Sequence, residues 1–254
     1  MALWNWVSAS CRGTSHERAG VRLQDAKSCF VPKGVREDIF VAIISDGAGS
    51  AAFGGQGASL ICRALGVAVR RYFKAERELP TDAQIESWVD SVRDLIFTVA
   101  ERREALPRDF AATLVFVISD GDSAVVGHIG DGCAVLKDES LSKWVAPLWP
   151  DHGEYASTTT FVTDDPAPKI RMNRYAGAVS ALVLFTDGLE RLALDFVSRQ
   201  PFERFYEGVC RPLFENSIVG RDHVLSEELR RYLGSNLINA RTDDDKTLVL
   251  AVKK

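Results

Sequence analysis

Cysteine is scarce in this chain of 254 residues: five thiols (Cys11, Cys29, Cys62, Cys133, Cys210), an odd number with no C-x-x-C pair. A disulfide framework or a zinc knuckle is therefore not expected, and the thiols read as reduced and mostly buried. The positions six residues after each cysteine are Glu17, Val35, Ala68, Glu139 and Asn216, so no C-x5-R phosphate loop exists. Histidine is equally sparse, with His16, His128, His152 and His223 scattered and no H-E-x-x-H; any metal would have to be held by oxygen ligands. G-x-x-x-x-G-K-[ST], G-x-G-x-x-G and G-x-S-x-G are all absent, which removes the usual nucleotide-binding and serine-hydrolase readings. No basic block breaks the balance of 31 Lys+Arg against 35 Asp+Glu, a formal charge of -4, so nucleic acid is not an expected partner. No stretch approaches the roughly 18 uninterrupted apolar residues of a membrane helix, and the opening residues do not resemble a secretory leader. A cytoplasmic protein without a membrane partner is expected.

What the chain has is ample apolar content, 46%, enough for a real core. The pieces "LWNWVSASC", "DAKSCFVP" and "DIFVAIIS" read as strands, with a polar loop "RGTSHERAGVRLQ" between the first two. Two amphipathic helices follow, "GASLICRALGVAVRRYFKAE" and one opening at Thr81-Asp82. Further strands are expected at "FAATLVFVIS", "SAVVGHIG", "CAVLKD", "STTTFVT" and "AVSALVLFT", then helical pattern from Gly188 to Leu233 interrupted near Pro201, Pro212 and Gly220, then a closing strand "KTLVLAV". Meander groups of strands with separate helical groups point to an α+β layered fold, in one domain spanning residues 1-254.

Asp-Gly occurs at Asp46-Gly47, Asp120-Gly121, Asp131-Gly132 and Asp187-Gly188. Asp120-Gly121 lies between two strands and reads as a hairpin turn. Asp131-Gly132 could be another, although Gly130 before it bends the backbone toward a ligand. Asp46 and Asp187 differ: each ends an apolar strand and leads into a helical pattern. A carboxylate there is costly unless it is paired or metal-bound. "DDD" at Asp243 to Asp245 before the last strand, and Asp25 at the start of another, repeat the pattern. Acids at matching places on separate strands suit an oxygen-ligand site for Mg²⁺ or Mn²⁺, because several ionised carboxylates cannot share a cleft without a cation.

The pieces "GTSHERAGVRLQDA", "VAIISDGAGSA", "FAATLVFVI", "GHIGDGCAVL", "FTDGLERLA" and "TDDDKTLVLAV", in this order and spacing, resemble the metal-dependent serine/threonine phosphatases of the protein phosphatase 2C family, in particular short bacterial members that are little more than a catalytic domain. The resemblance implies a four-layer α-β-β-α sandwich, two antiparallel sheets flanked by helices, with a two-metal Mn²⁺ or Mg²⁺ centre at one end. It implies that Asp46 bridges the metals, that the Gly47 carbonyl binds one, that Asp187 and Asp244 bind the other, and that Asp25 holds metal-bound water. Asp131 matches the ligand of a weaker third metal, and Thr113 a packing position. The implied activity is hydrolysis of phosphoserine and phosphothreonine monoesters on proteins by in-line attack of a metal-bridging water or hydroxide. Phosphoproteins in a pathway with an opposing kinase are the implied partners, and a monomer is expected.

The chain also departs from the family. Ala48 stands where many relatives carry His, a candidate acid for the leaving alkoxide, Gly20 where many carry a phosphate-binding Arg, and Gln24 where many carry Glu. General acid catalysis is typically worth ~10²- to 10⁴-fold. Arg22, Arg18 and His16, in the same loop, are the candidates to replace these contacts. The competing reading is a pseudophosphatase, a binding module that keeps the fold without turnover. "GEYASTTTFVTDD" (153-165), with Tyr155 and its threonines, could edge the cleft.

Overall fold

The computed structural model describes residues 3-34, 36-151 and 159-254. In chain order, β1 (Trp4–Cys11) leads through a short helix α1 (Thr14–Ala19) to β2 (Ala26–Phe30) and β3 (Phe40–Ser45). Two long helices follow, α2 (Gly54–Tyr72) and α3 (Asp82–Arg102), then β4 (Leu114–Ser119), β5 (Ala124–Ile129), β6 (Cys133–Asp138) and β7 (Lys143–Val145). β8 (Arg171–Tyr175) and β9 (Val179–Phe185) precede α4 (Glu190–Ala193), a small hairpin β10 (Leu194–Asp195) and β11 (Gln200–Pro201), and α5 (Glu203–Glu215). The chain ends with β12 (Gly220–Arg221), α6 (His223–Leu233), α7 (Asn236–Asn239) and β13 (Lys246–Lys253).

The strands form a six-stranded sheet in the order β12-β1-β13-β9-β6-β7 and a five-stranded sheet in the order β2-β3-β4-β5-β8. All pairings are antiparallel except β1 with β12. Period-2 alternation divides each central strand between two cores. In β3, Phe40, Ala42 and Ile44 pack between the sheets, while Val41 and Ile43 pack under α2 and α3. In β13, Val249 and Ala251 join the layer between the sheets, and Leu248, Leu250 and Val252 face α5 and α6. This is the expected four-layer α-β-β-α sandwich. Strands buried on both faces read as unbroken apolar runs, which is why they are visible in the sequence.

Thr81 caps α3 as expected, its hydroxyl oxygen accepting the Gln84 N–H at 3.2 Å. The loop read as wholly polar contains α1. Of the strand expected at "STTTFVT", the described residues 159-163 carry no strand pairing, and the fifth strand of the smaller sheet is β8 instead, at "RMNRY". Pro212 does not interrupt α5 but lies within it. Pro201 and Gly220 do mark breaks, at β11 and β12. Among the described residues no helix is long and apolar enough to cross a membrane.

Candidate active site

Six acidic or hydroxyl positions arrive at one end of the sandwich because strand directions alternate. Asp46 follows β3, Asp25 precedes β2, Thr113 precedes β4, Asp131 follows β5, Asp187 follows β9 and Asp244 precedes β13. The registers Ala26 with Ser45, Leu114 with Ile129, and Leu248 with Phe185 place these strand ends side by side. All of them except Asp25, which lies buried behind Asp46, line a cleft of about 470 Å³ that also includes His16, Ala48 and Thr159.

The four Asp-Gly pairs now separate by what their glycines do. Gly121 and Gly132 have φ of +87° and +81°, the left-handed region that glycine enters without penalty. Asp120-Gly121 is the expected hairpin turn of β4 and β5. Asp131-Gly132 is not a hairpin: β5 and β6 belong to different sheets, and the pair is the crossover between them. Gly47 and Gly188 have no left-handed backbone; they are required because a Cβ would run into the backbone of Gly54 and of Asp245 respectively. These two glycines let helix and strand backbones close on the cleft.

The Asp46 backbone is fixed on both sides. Its N–H donates to Thr113 Oγ1 at 3.0 Å, and the Thr113 N–H donates back to the Asp46 carbonyl at 2.8 Å. Thr113, read from sequence as a packing position, thus holds the floor of the site. Asp25 Oδ2 accepts the Thr186 hydroxyl at 2.9 Å, and Thr186 Oγ1 in turn accepts the Thr247 N–H at 3.0 Å.

The carboxylates themselves are poorly satisfied. Burial pushes Asp25 up to about 6, with the Asp245 charge adding to it. Burial pushes Asp187 up to about 7, aided by the charges of Asp131, Asp244 and Asp25. Asp46 is raised well above the carboxylate range by burial and then by the charges of Asp25 and Asp187. Asp25 Oδ1 and Asp187 Oδ1 are buried without a hydrogen-bond partner, an expensive arrangement unless something positive belongs beside them. Among the described residues no three acidic, His or Cys side chains converge on one point; Asp46 instead lies close enough to Asp25 and Asp187 for each to raise its pKa. Buried carboxyls that raise one another's pKa in this way, with orphan oxygens and the Gly47 backbone at hand, fit a hard divalent cation by donor chemistry and by charge.

The other expected residues are distributed unevenly. Asp244 lines the cleft and accepts the Asp245 N–H at 2.7 Å. Asp131 lines it too, its Oδ2 accepting the Thr159 hydroxyl. Of the three candidates for the missing phosphate contacts, only His16 reaches the cleft. Arg18 is exposed and paired with Asp243 at 3.2 Å, and Arg22 lies in an adjoining groove. Tyr155 lies outside the described residues; Thr159 and Phe161 from the same stretch do line the cleft.

Two functional candidates escaped the sequence. Asp245, buried at 1% exposure, accepts the Gly13 N–H at 2.7 Å and the Gln24 N–H at 2.6 Å, and its Oδ1 lies 3.0 Å from His16 Nδ1. It ties the loop carrying His16 to the strand carrying Asp244. Glu190, pushed up to about 8 by burial, accepts the Gly132 N–H at 2.9 Å and so braces the loop of Asp131. An acid three residues after Asp187, one helical turn on, was the available signal.

A sequence model described as Protein phosphatase 2C matches residues 12-234. The chain belongs to that family. It is 34% identical to serine/threonine-protein phosphatase 3 of Escherichia coli (strain K12) over 257 residues, covering 98% of each. Among solved structures, the family fold recurs in PppA of Pseudomonas aeruginosa at a TM-score of 0.65 and 18% identity, with 100% of both chains covered. It recurs again in the S. agalactiae serine/threonine phosphatase, at 0.65 and 16% identity over 98% of this chain and 99% of that one.

Proposed function

We propose that this phosphatase removes phosphate from phosphoserine and phosphothreonine side chains of proteins at the cleft of Asp46, Asp187 and Asp244. The observation that carries this reading is the group of buried, mutually repelling carboxyls with orphan oxygens at the joined strand ends. Asp46, the Gly47 carbonyl, Asp187 and Asp244 would hold two Mn²⁺ or Mg²⁺ ions, and Asp131 a weaker third. When bound, such ions supply Lewis acidity and positive charge for the phosphate. The chain's own residues do the rest. Thr113 and Thr186 fix the backbone and carboxyl positions, and Asp25 accepts hydrogen bonds from water in the cleft. Small residues at Gly47, Ala48 and Gly49 leave room for the phosphorylated side chain.

His16 takes the place of the missing cleft histidine. With Nδ1 set against Asp245, Nε2 is the ring nitrogen available to give a proton to the leaving oxygen. The partners of such a site are phosphoproteins, and an opposing kinase follows from them. The five cysteines are free thiols, in keeping with a reducing compartment. The pseudophosphatase reading has less support, because Asp46, Asp131, Asp187 and Asp244 all line one cleft.

The test is hydrolysis of p-nitrophenyl phosphate and a phosphothreonine peptide by metal-stripped protein with and without Mn²⁺. Turnover that requires the ion is expected. A folded protein inert over a range of Mn²⁺ and Mg²⁺ would overturn the proposal.

A further inference from the structure

Two depressions flank the carboxylate cleft, and their charges differ. On one side Arg191 and Arg241 face Asp187, Glu190, Asp243 and Asp244, so opposite charges are mixed. On the other, a groove of about 640 Å³ between the Val21 to Gln24 loop and helices α2 and α3 is lined by Arg22, Arg63 and Arg103 and by no acidic residue. All three arginines are exposed. The ion pairs of the described residues engage other arginines. Arg63 Nε reaches only the Ser59 carbonyl of its own helix, at 3.2 Å. Arg103 donates to Gln56, and its guanidinium stands 5.7 Å from the Phe53 ring centroid.

The groove adjoins the cleft. Gln24 lines both, and the wall between them is the backbone of Gly47 and Ala48 packed on Gly54. In a chain of formal charge -4, three cations with no carboxylate partner among the described residues form a local positive field beside an acidic site, and a ligand with negative groups at that spacing would relieve their repulsion. We propose that this groove receives an acidic, Asp- or Glu-bearing segment of the phosphoprotein substrate while the phosphorylated side chain sits in the cleft. The inference rests on the phosphatase reading and adds a sequence preference to it. Because the two depressions share Gln24 as a wall, acids close in sequence to the phosphoresidue are the ones that reach the groove.

The experiment compares a phosphothreonine peptide flanked by Glu with one flanked by Gln, using Mn²⁺-loaded wild type, Arg63→Glu and the double variant Arg22→Glu/Arg63→Glu. Anisotropy of the fluorescein-labelled, unphosphorylated versions is read in parallel, so that the result does not depend on turnover. Wild type is expected to favour the Glu peptide about tenfold, chiefly through KM. Each reversal should cost roughly fivefold, the upper range for one exposed charge pair, and about 0.5 M NaCl should erase the preference. Equal kcat/KM and equal binding for the two peptides, or a Glu preference that survives both reversals, would overturn the groove assignment. Hydrolysis of neither phosphopeptide, with Arg-dependent binding of the Glu peptide intact, would instead sink the phosphatase reading and leave the groove standing.

Discussion

Strand β3 carries an acid just beyond each of its ends, and the two are treated in opposite ways. Asp38, two residues before the strand, is held by Arg36 through two hydrogen bonds of 2.7 and 2.6 Å, and Arg36 also reaches Asp120 at 3.3 Å. Asp120 in turn accepts the Asp122 and Ser123 N–H groups at 3.0 and 2.8 Å. The Arg36 hydrogen bonds hold Asp38 below the ordinary carboxylate range. At the other end Asp46 meets only other acids and is raised. Sequence composition is similar at both ends, with Asp-Gly present at each. The difference is a cation: the far end has its own in Arg36, whereas among the described residues no Lys or Arg lines the cleft. Carboxylates that stabilise a fold come with their partner, and carboxylates kept for chemistry leave the partner's place to something else.

Removing one acid from the cleft gives the largest expected effect. Asp46→Asn should reduce Mn²⁺-dependent hydrolysis by at least about 10³-fold, beyond the 10- to 100-fold typical of residues one contact removed from a metal. The same change deletes a repelling charge, so metal-stripped Asp46→Asn should unfold at a temperature no lower than metal-stripped wild type. Mn²⁺ should raise the Tm of wild type, by mass action on the folded state, and leave the variant unmoved. Activity lost together with metal-free stability would mean that Asp46 is a structural acid like Asp38.

The two ends should also respond to pH with opposite sign. Asp25 and Asp187 hold protons more tightly folded than unfolded, at about 6 and about 7. Their contribution is therefore full below the ordinary carboxylate pKa of about 4 and is lost as pH rises through those values. Asp38 is lowered, so its contribution is present above that pKa and is lost as pH falls through its depressed value. Urea unfolding in EDTA should show stability falling by several kcal/mol from about pH 5 to about pH 8, with Mn²⁺ removing the fall. A rise over that window would contradict the assignment of raised carboxyls to the cleft.

How much of this was legible follows from where each residue sits. β3, β4, β9 and β13 are buried on both faces, so their sequences are unbroken apolar runs, and acids at their ends stood out. β8 is an edge strand of half-buried residues, "RMNRY", with no such run, whereas the threonine-rich stretch before it has the β-branched composition of a strand. Asp245 was hidden among three consecutive acids, because which of them turns inward depends on contacts with Gly13, Gln24 and His16 at the other end of the chain. Local pattern found the strand ends; only the fold could say which loops meet there. The arginine groove was hidden for the same reason, since Arg22, Arg63 and Arg103 come from a loop, from α2 and from the turn that ends α3.

The smallest effect is expected at the far end, and it sharpens the comparison most directly. Arg36→Ala removes the cation shared by Asp38 and Asp120 together with its hydrogen bond to the Arg77 carbonyl at 3.0 Å. Arg36 is partly buried, with 23% of its side chain exposed, and the Asp38 contact is bidentate, so the loss should be about 1 kcal/mol, at the upper limit of surface pairs. That loss should be present at pH 7 and fade in acid as Asp38 is protonated. Neither kcat nor KM for p-nitrophenyl phosphate should change, because the whole length of β3 and β4 separates Arg36 from the cleft. A shifted KM would show that the two ends are coupled through the strands they share, and the division between a stabilising end and a reactive end would then fail.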